Sequence, residues 1–391
     1  LAVVALPVAA RRLPWRALLA VSVVASAAWA VSLALVDGGA ALGRPIATAA
    51  EYLADVPRVH GLHAFLSGFT EHITVGSPGF AWVTHVSGHP PGALLAFVGL
   101  DRLGLAGRGW AAALRIGAGA CAAAAALSTL RVIAGEAAAR RAAPYLATAP
   151  AAVWIATSAD ALFLGVSAWG IALLALAAAA GHPRRAYRDP TIPGESWGGG
   201  CRGRAGADVL ALGGGVLLGL TVFLSYGLVL LAPIAVAVVV AQKRIRPLVV
   251  GAVAVAVVVA MFAALGFWWL DGLSRTRIRY QQGSASARPY LYFLFANLAV
   301  LGLTIGPAGV AALAWLGRHT ALLWLPAAAL IGILLADLSG LSKSEVERIW
   351  LPFTPWLLAA TALLPQKHQR WWLAAQLSIG LAVQTLVRTN W

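Results

Sequence analysis

Residues 142–180 read AAPYLATAPAAVWIATSADALFLGVSAWGIALLALAAAA, thirty-nine residues with a single charge, Asp160. One membrane crossing takes about 20 apolar residues. The stretch is therefore predicted as two crossings, 142–159 and 161–180, that meet at a carboxylate. An acid at the ends of two packed apolar helices needs a partner, and a functional reading is the default at such a depth. The structural alternative is a helix N-cap, for which Asp is well suited.

The same pattern extends in both directions. Apolar runs at 17–36, 110–133, 208–225, 227–241, 247–270, 290–317, 320–338, 349–365 and 371–388 bring the expected total to about 11 transmembrane helices. Hydrophobic residues make up 60% of the 391 and charged ones 11%, with mean hydropathy +0.81, which excludes a soluble globular domain. The fold class is an all-α polytopic membrane protein, a single transmembrane domain over 1–391. The run 90–105 is also apolar but short; it opens on Pro90-Pro91 and ends in Asp101-Arg102, and is predicted as a helix lying at the outer interface. A crossing there would flip every later loop and put Arg184, Arg185, Arg188, Arg202 and Arg204 outside, against the positive-inside rule.

The net charge of +15 would suggest nucleic acid in a soluble chain. Here the basic residues lie between apolar segments, where they set orientation and meet anionic membrane lipids, so nucleic acid is not an expected partner. Arg11, Arg12 and Arg16 precede the first run, which is too long for a signal-peptide core and is read as an anchor with a cytosolic N-terminus. The localisation expected is the plasma (inner) membrane, multi-pass, with the polar site on the outer face. Cys121 and Cys201 are far apart and suggest neither a disulfide framework nor a metal site. The Gly- and Arg-rich segment 181–207 reads as a flexible cytosolic loop.

On this topology most carboxylates fall outside, in four places. The first outer loop, within 37–109, is long enough to be functional in its own right. It carries Asp37 directly after the first crossing, then Glu51, Tyr52 and Asp55. If 46–56 is a helix, Glu51 and Asp55 share a face, where they could hold a divalent cation, bind a sugar or supply a general base. Five histidines, His60, His63, His72, His85 and His89, share this loop without a tight ligand spacing, so no metal site is assigned to them. His89 differs, because it begins His89-Pro90-Pro91-Gly92, whose prolines fix a bend at the entrance to the interfacial helix.

Asp160 is the second place. The third is the loop before the run at 290, with Arg275, Arg277, Arg279, Tyr280 and Arg288; alternate arginines on an extended stretch would present guanidinium groups to one side, suited to the phosphate of an anionic lipid carrier. The fourth is Ser342-Lys343-Ser344-Glu345-Val346-Glu347-Arg348, a charged turn at the head of a Pro-broken, Trp-rich run, where Lys343, Glu347 and Arg348 are candidates for a polar cavity.

Taken together, the layout resembles the GT-C superfamily of integral-membrane glycosyltransferases, which take sugars from polyprenyl-phosphate donors on the outer face. The features that carry the resemblance are Asp37 after the first crossing, a large first outer loop with interfacial helices, His89-Pro90-Pro91-Gly92, Asp160 in the second outer loop, and Arg348 with Leu351-Pro352-Phe353-Thr354-Pro355 at the start of a late crossing. The bias toward Ala, Gly and Arg over Lys is actinobacterial-like. The resemblance implies an inverting transfer in which a first-loop carboxylate deprotonates the acceptor hydroxyl, Asp37 being the first choice and Asp55 the second. It implies that Asp160 orients acceptor or donor, that Arg275, Arg277, Arg279 and Arg348 meet the carrier phosphate, and that the partners are a polyprenyl-phosphate sugar and a lipid or glycan acceptor. A mannose or arabinose donor used in cell-envelope building is suggested by the genome bias alone. The competing class is a transporter or lipid flippase, disfavoured because no repeat symmetry or midplane charge is visible; an O-antigen-ligase-like transferase would carry its long outer loop late in the chain.

Overall fold

The computed structural model describes residues 1–180, 203–318 and 320–387. Every regular element among them is helical. Seven helices are long and apolar enough to cross a membrane: Trp15–Asp37, Arg108–Ala134, Asp160–Ala180, Arg204–Val222, Arg246–Ala264, Tyr290–Leu313 and Ala321–Leu338. The chain is a multi-pass membrane protein. Of the loop predicted at 181–207, residues 181–202, with Arg184, Arg185, Arg188 and Arg202, lie outside the described residues, whereas Arg204 opens a helix.

The remaining four predicted crossings are shorter or broken. The run 142–159 is not one helix: Glu136–Ala147 ends before Pro150, and a single turn, Ala152–Ile155, follows. The run 349–365 is a succession of short pieces that includes Leu351–Phe353, Thr354–Leu358 and Ala359–Leu363, punctuated by Pro352 and Pro355. Tyr226–Leu231 and Ala232–Val240 divide a third, and Gln369–Leu386 forms the fourth. Irregular backbone at membrane depth is tolerated only where protein covers it, and both broken runs obey this: residues 142–165 and 350–362 are buried throughout.

The interior repairs its own breaks. Tyr290–Leu313 is kinked at Gly306, whose φ of 69° suits glycine, followed by Pro307. The Gln376 side chain spans the kink, donating to the Ile305 carbonyl (2.8 Å) and accepting from the Ala308 N–H (3.2 Å). The Ala151 N–H, freed where the first broken run ends, donates to the Thr304 carbonyl at 3.1 Å.

Asp160–Ala180 is the central helix, packed between Arg108–Ala134 and Arg204–Val222. Its first residue, the head of Arg108–Ala134 and the end of Ala321–Leu338 lie at one end of the bundle, with the first long loop. In that loop Pro91–Arg102 is a 12-residue helix, about 18 Å long and too short to cross. Gly92 admits the close seating of this helix, since a Cβ there would stand 2.5 Å from the Phe223 carbonyl oxygen.

Candidate active site

At the loop end, four segments distant in sequence converge on Arg348, which is 6% exposed. Its Nη1 donates to Asp160 Oδ2 at 3.0 Å and its Nη2 to Glu345 Oε2 at 2.6 Å. Nη2 also lies 3.2 Å from His85 Nε2, and His85 Nδ1 lies 2.6 Å from Glu51 Oε1. The tautomer that satisfies both contacts has Nδ1–H donating to Glu51 and Nε2 accepting from Arg348. A continuous chain Glu51–His85–Arg348–Asp160 results, with Glu345 bound to the same guanidinium. Burial opposes the charge on Arg348, but Asp160 and Glu345 outweigh it and raise its pKa.

Each partner is positioned by its own segment. Ser158 Oγ accepts the Asp160 N–H at 3.0 Å and donates back to its carboxylate, so a serine caps this helix start while Asp160 faces Arg348. Arg115, fully buried, donates to the carbonyls of Thr157 (2.8 Å) and Leu42 (2.6 Å), tying the segment before Asp160 to the first loop. Glu345 and Ser344 have φ of 62° and 77°, a strained conformation for non-glycine residues that surrounding contacts must hold. Asn297 does so, donating to Asp337 Oδ1 (2.7 Å) and the Ser342 carbonyl (2.8 Å) and accepting from the Ser344 N–H (3.3 Å).

Of the sequence candidates, Glu51, Tyr52, His89, Asp160 and Arg348 come together. Tyr52 is buried, stacked on Phe97 and beside both His85 and His89; burial pushes its phenol well above the ordinary range, with Asp160 and Glu51 adding to the effect. Burial lowers His89 to about 4, and its Nδ1 lies 2.7 Å from the His85 carbonyl oxygen, to which it donates. Glu51 Oε2 is buried with no hydrogen-bond partner among the described residues.

The other candidates lie apart. The expected helix over 46–56 does not form: Glu51 is extended, and Tyr52–Ala54 and Val56–Arg58 are separate 3-10 turns. Glu51 and Asp55 consequently share no helical face. Asp55 is fully buried, accepting from Arg58 Nη1 (2.6 Å) and the Val83 N–H (2.8 Å), which fixes the start of the short helix Thr84–Ser87 that carries His85. Asp37 is exposed and accepts from Gln384 Nε2 at 2.7 Å. Lys343 donates to the carbonyls of Ser286 (2.9 Å) and Arg288 (3.0 Å), and Glu347 is half-buried.

The extended arginine stretch is also corrected. Arg275, Arg277, Arg279 and Tyr280 lie in a helix, Trp269–Gln282. Residues four apart share a helical face and residues two apart oppose, so Arg275 and Arg279 pair while Arg277 points elsewhere. This helix is tied to the first loop by Thr276 Oγ1 to the Ser87 carbonyl (3.1 Å) and by the Val75 N–H to Gln282 (2.8 Å). Tyr280 donates to the Gly340 carbonyl at 3.2 Å, linking the helix to the turn that precedes Arg348.

Sequence reasoning passed over His85 and Arg115 as site residues, and had Glu345 only as one of the two acids of the charged turn before Arg348. His85 was visible only as one histidine of five in a loop, and Arg115 only as a charge inside an apolar run, the signal that Asp160 also gave.

The donor set does not suit a divalent cation. Among the described residues no three His, Cys, Asp or Glu side chains are grouped to hold one, and Asp160 and Glu345 are already turned onto a guanidinium.

No protein-family model matches the chain, and no curated protein matches it in sequence. A solved structure with a similar course is that of the Archaeoglobus fulgidus oligosaccharyltransferase, determined in complex with zinc and sulfate. It superposes with a TM-score of 0.48 at 14% identity, covering 93% of this chain and 53% of that one. This chain therefore spans about half the length of that protein. At this level of superposition the likeness carries no argument about what the chain does.

Proposed function

We propose that the chain is a membrane glycosyltransferase, passing a sugar from a polyprenyl-phosphate donor to a hydroxyl of a lipid or glycan acceptor on the outer face, with inversion. The observation that carries the reading is the buried Glu51 Oε2, which has no hydrogen-bond partner among the described residues while Oε1 is held by His85. An acid kept dry with one lone-pair face open is suited to accept a proton from a bound hydroxyl. Asp55 is committed to Arg58 and Val83, and Asp37 is exposed on Gln384, so the role of base passes to Glu51.

In this mechanism the acceptor O–H gives its proton to Glu51 Oε2 as the oxygen attacks the anomeric carbon. The bond from that carbon to the phosphate oxygen breaks, and polyprenyl phosphate leaves with the electron pair. His85 holds Glu51 in place through Nδ1–H, and Arg348 holds His85 in the required tautomer. Arg275 and Arg279, on one face of a helix anchored beside the first loop, bind the departing phosphate.

The test is transfer by the purified chain in lipid from a panel of polyprenyl-phosphate sugars. Glu51→Gln, which keeps an acceptor for His85, is expected to lower turnover by roughly 10²–10⁴-fold with an unchanged elution profile, while Asp37→Asn retains most activity. Loss in Asp37→Asn with retention in Glu51→Gln would return the role of base to Asp37. Solute or lipid movement without transfer would establish a transporter.

A further inference from the structure

At the end of the bundle opposite Arg348, a cavity of about 610 Å³ opens between the tail of Arg108–Ala134, the helix Glu136–Ala147, the head of Ala321–Leu338 and the segment leaving Ala359–Leu363. Its volume is typical of a ligand site, and its wall combines apolar side chains, Ala134, Ala138, Leu322 and Leu363 among them, with polar groups that include Arg141 and Gln366. Among the described residues, Arg141 is its one charged lining residue.

The three arginines nearby are used differently. Arg131 and Arg140 both pair with Glu136, and Arg140 also donates to the carbonyls of Ala10 (2.8 Å) and Leu13 (2.9 Å), closing the first helix. Arg141 has no carboxylate partner among the described residues. Its Nε donates to the Ala362 carbonyl at 2.8 Å. This bond engages Nε alone, and the side chain lines the cavity. Arg11, Arg12, Lys367 and Arg370, all exposed, ring the same end.

We propose that this cavity binds one anionic phospholipid, its phosphate on the Arg141 fork and an acyl chain along the apolar wall. A guanidinium immobilised through Nε presents its remaining N–H groups as a planar pair, the geometry that meets a phosphate with two parallel hydrogen bonds. The surrounding cations select a negative head group over a zwitterionic one. The apolar wall selects a lipid over a free ion, because inorganic phosphate leaves that surface uncovered. The site is independent of the chemistry assigned to the loop end.

Native mass spectrometry of the purified full chain, titrated with phosphatidylglycerol, phosphatidylcholine or inorganic phosphate, tests the assignment. The expected result is one phosphatidylglycerol held at least about tenfold more tightly than phosphatidylcholine, the preference set by the surrounding cations. Arg141→Gln should weaken phosphatidylglycerol binding by at least about tenfold, the loss of one charge-assisted pair. Ala321→Trp, at an exposed lining position that leaves the Arg141–Ala362 bond intact, should weaken phosphatidylglycerol binding by crowding the chain. Equal retention by Arg141→Gln, equal affinity for both lipids, or inorganic phosphate competing as well as the lipid would each overturn the proposal. If Arg141→Gln does not fold, the lipid comparison and Ala321→Trp decide alone.

Discussion

Two arginine-bearing segments of the loop end handle charge in opposite ways. Arg348 is sunk into the bundle, its terminal nitrogens bound to Asp160 and His85 from distant segments and to Glu345 from its own. The helix Trp269–Gln282 keeps Arg275 and Arg277 exposed, and the ion pair of Arg275 with Asp271 is loose at 3.8 Å. A buried ion cluster holds geometry that would be costly to break, whereas exposed guanidinium groups contribute little to stability and stay available to a ligand. One segment is locked by its partners; the other keeps its charge exposed.

The sharpest break of this contrast is Arg348→Ala. It leaves Asp160 and Glu345 facing each other without their cation, and the expected loss is about 3–5 kcal/mol of stability, read as thermal unfolding in detergent or a failure to elute as a single species. Survival of Arg348→Ala with a small shift would mean that the cluster is hydrated and loosely held.

His89 gives a smaller effect with a definite pH window. Its folded pKa is about 4, below the unfolded value of about 6.5. Between those values the unfolded chain binds more protons, so stability is full above about pH 6.5 and is lost as pH falls toward 4. The loss should be on the order of 3 kcal/mol at the acid end. Thermal stability measured against pH should flatten over this window in His89→Gln, and an unchanged slope would show that His89 is not the titrating group.

The smallest effect on folding is expected for the pair Arg275→Gln and Arg279→Gln, within about 0.5 kcal/mol. Donor affinity should nevertheless fall, and the salt dependence of that affinity should fall with it, because exposed charge pairs are screened. A large loss of stability would place these residues with Arg348 rather than in contrast to it.

The fold was legible because crossing a bilayer demands long apolar runs, and nothing in a soluble domain imitates seven of them. Asp160 and Arg348 were legible for the related reason that a charge beside such a run needs a partner. The breaks at 148–151 and 350–354 were written in Pro150, Pro352 and Pro355, but an apolar run does not say whether protein or lipid will surround it. The first loop was the least readable. Spacing placed Glu51 and Asp55 on one helical face, yet Pro57 and the pull of Val83 and Arg58 on Asp55 leave only 3-10 turns there. The alternate arginines have a strand's period of two, but they sit among Leu, Gln and Arg, good helix formers, and local preference prevailed. His85 owes its place to a contact across 263 residues, which no local spacing encodes.

The kink at Gly306 also has a meaning for synthesis. The Ile305 carbonyl and the Ala308 N–H are met by Gln376, and the Thr304 carbonyl meets the Ala151 N–H. As the chain emerges from the ribosome, the backbone at 305–308 must wait for nearly seventy further residues before its groups are satisfied. The helix Gln369–Leu386 thus acts as a keystone for this kink: a chain that stops short of it leaves these groups bare at the depth where water is scarcest.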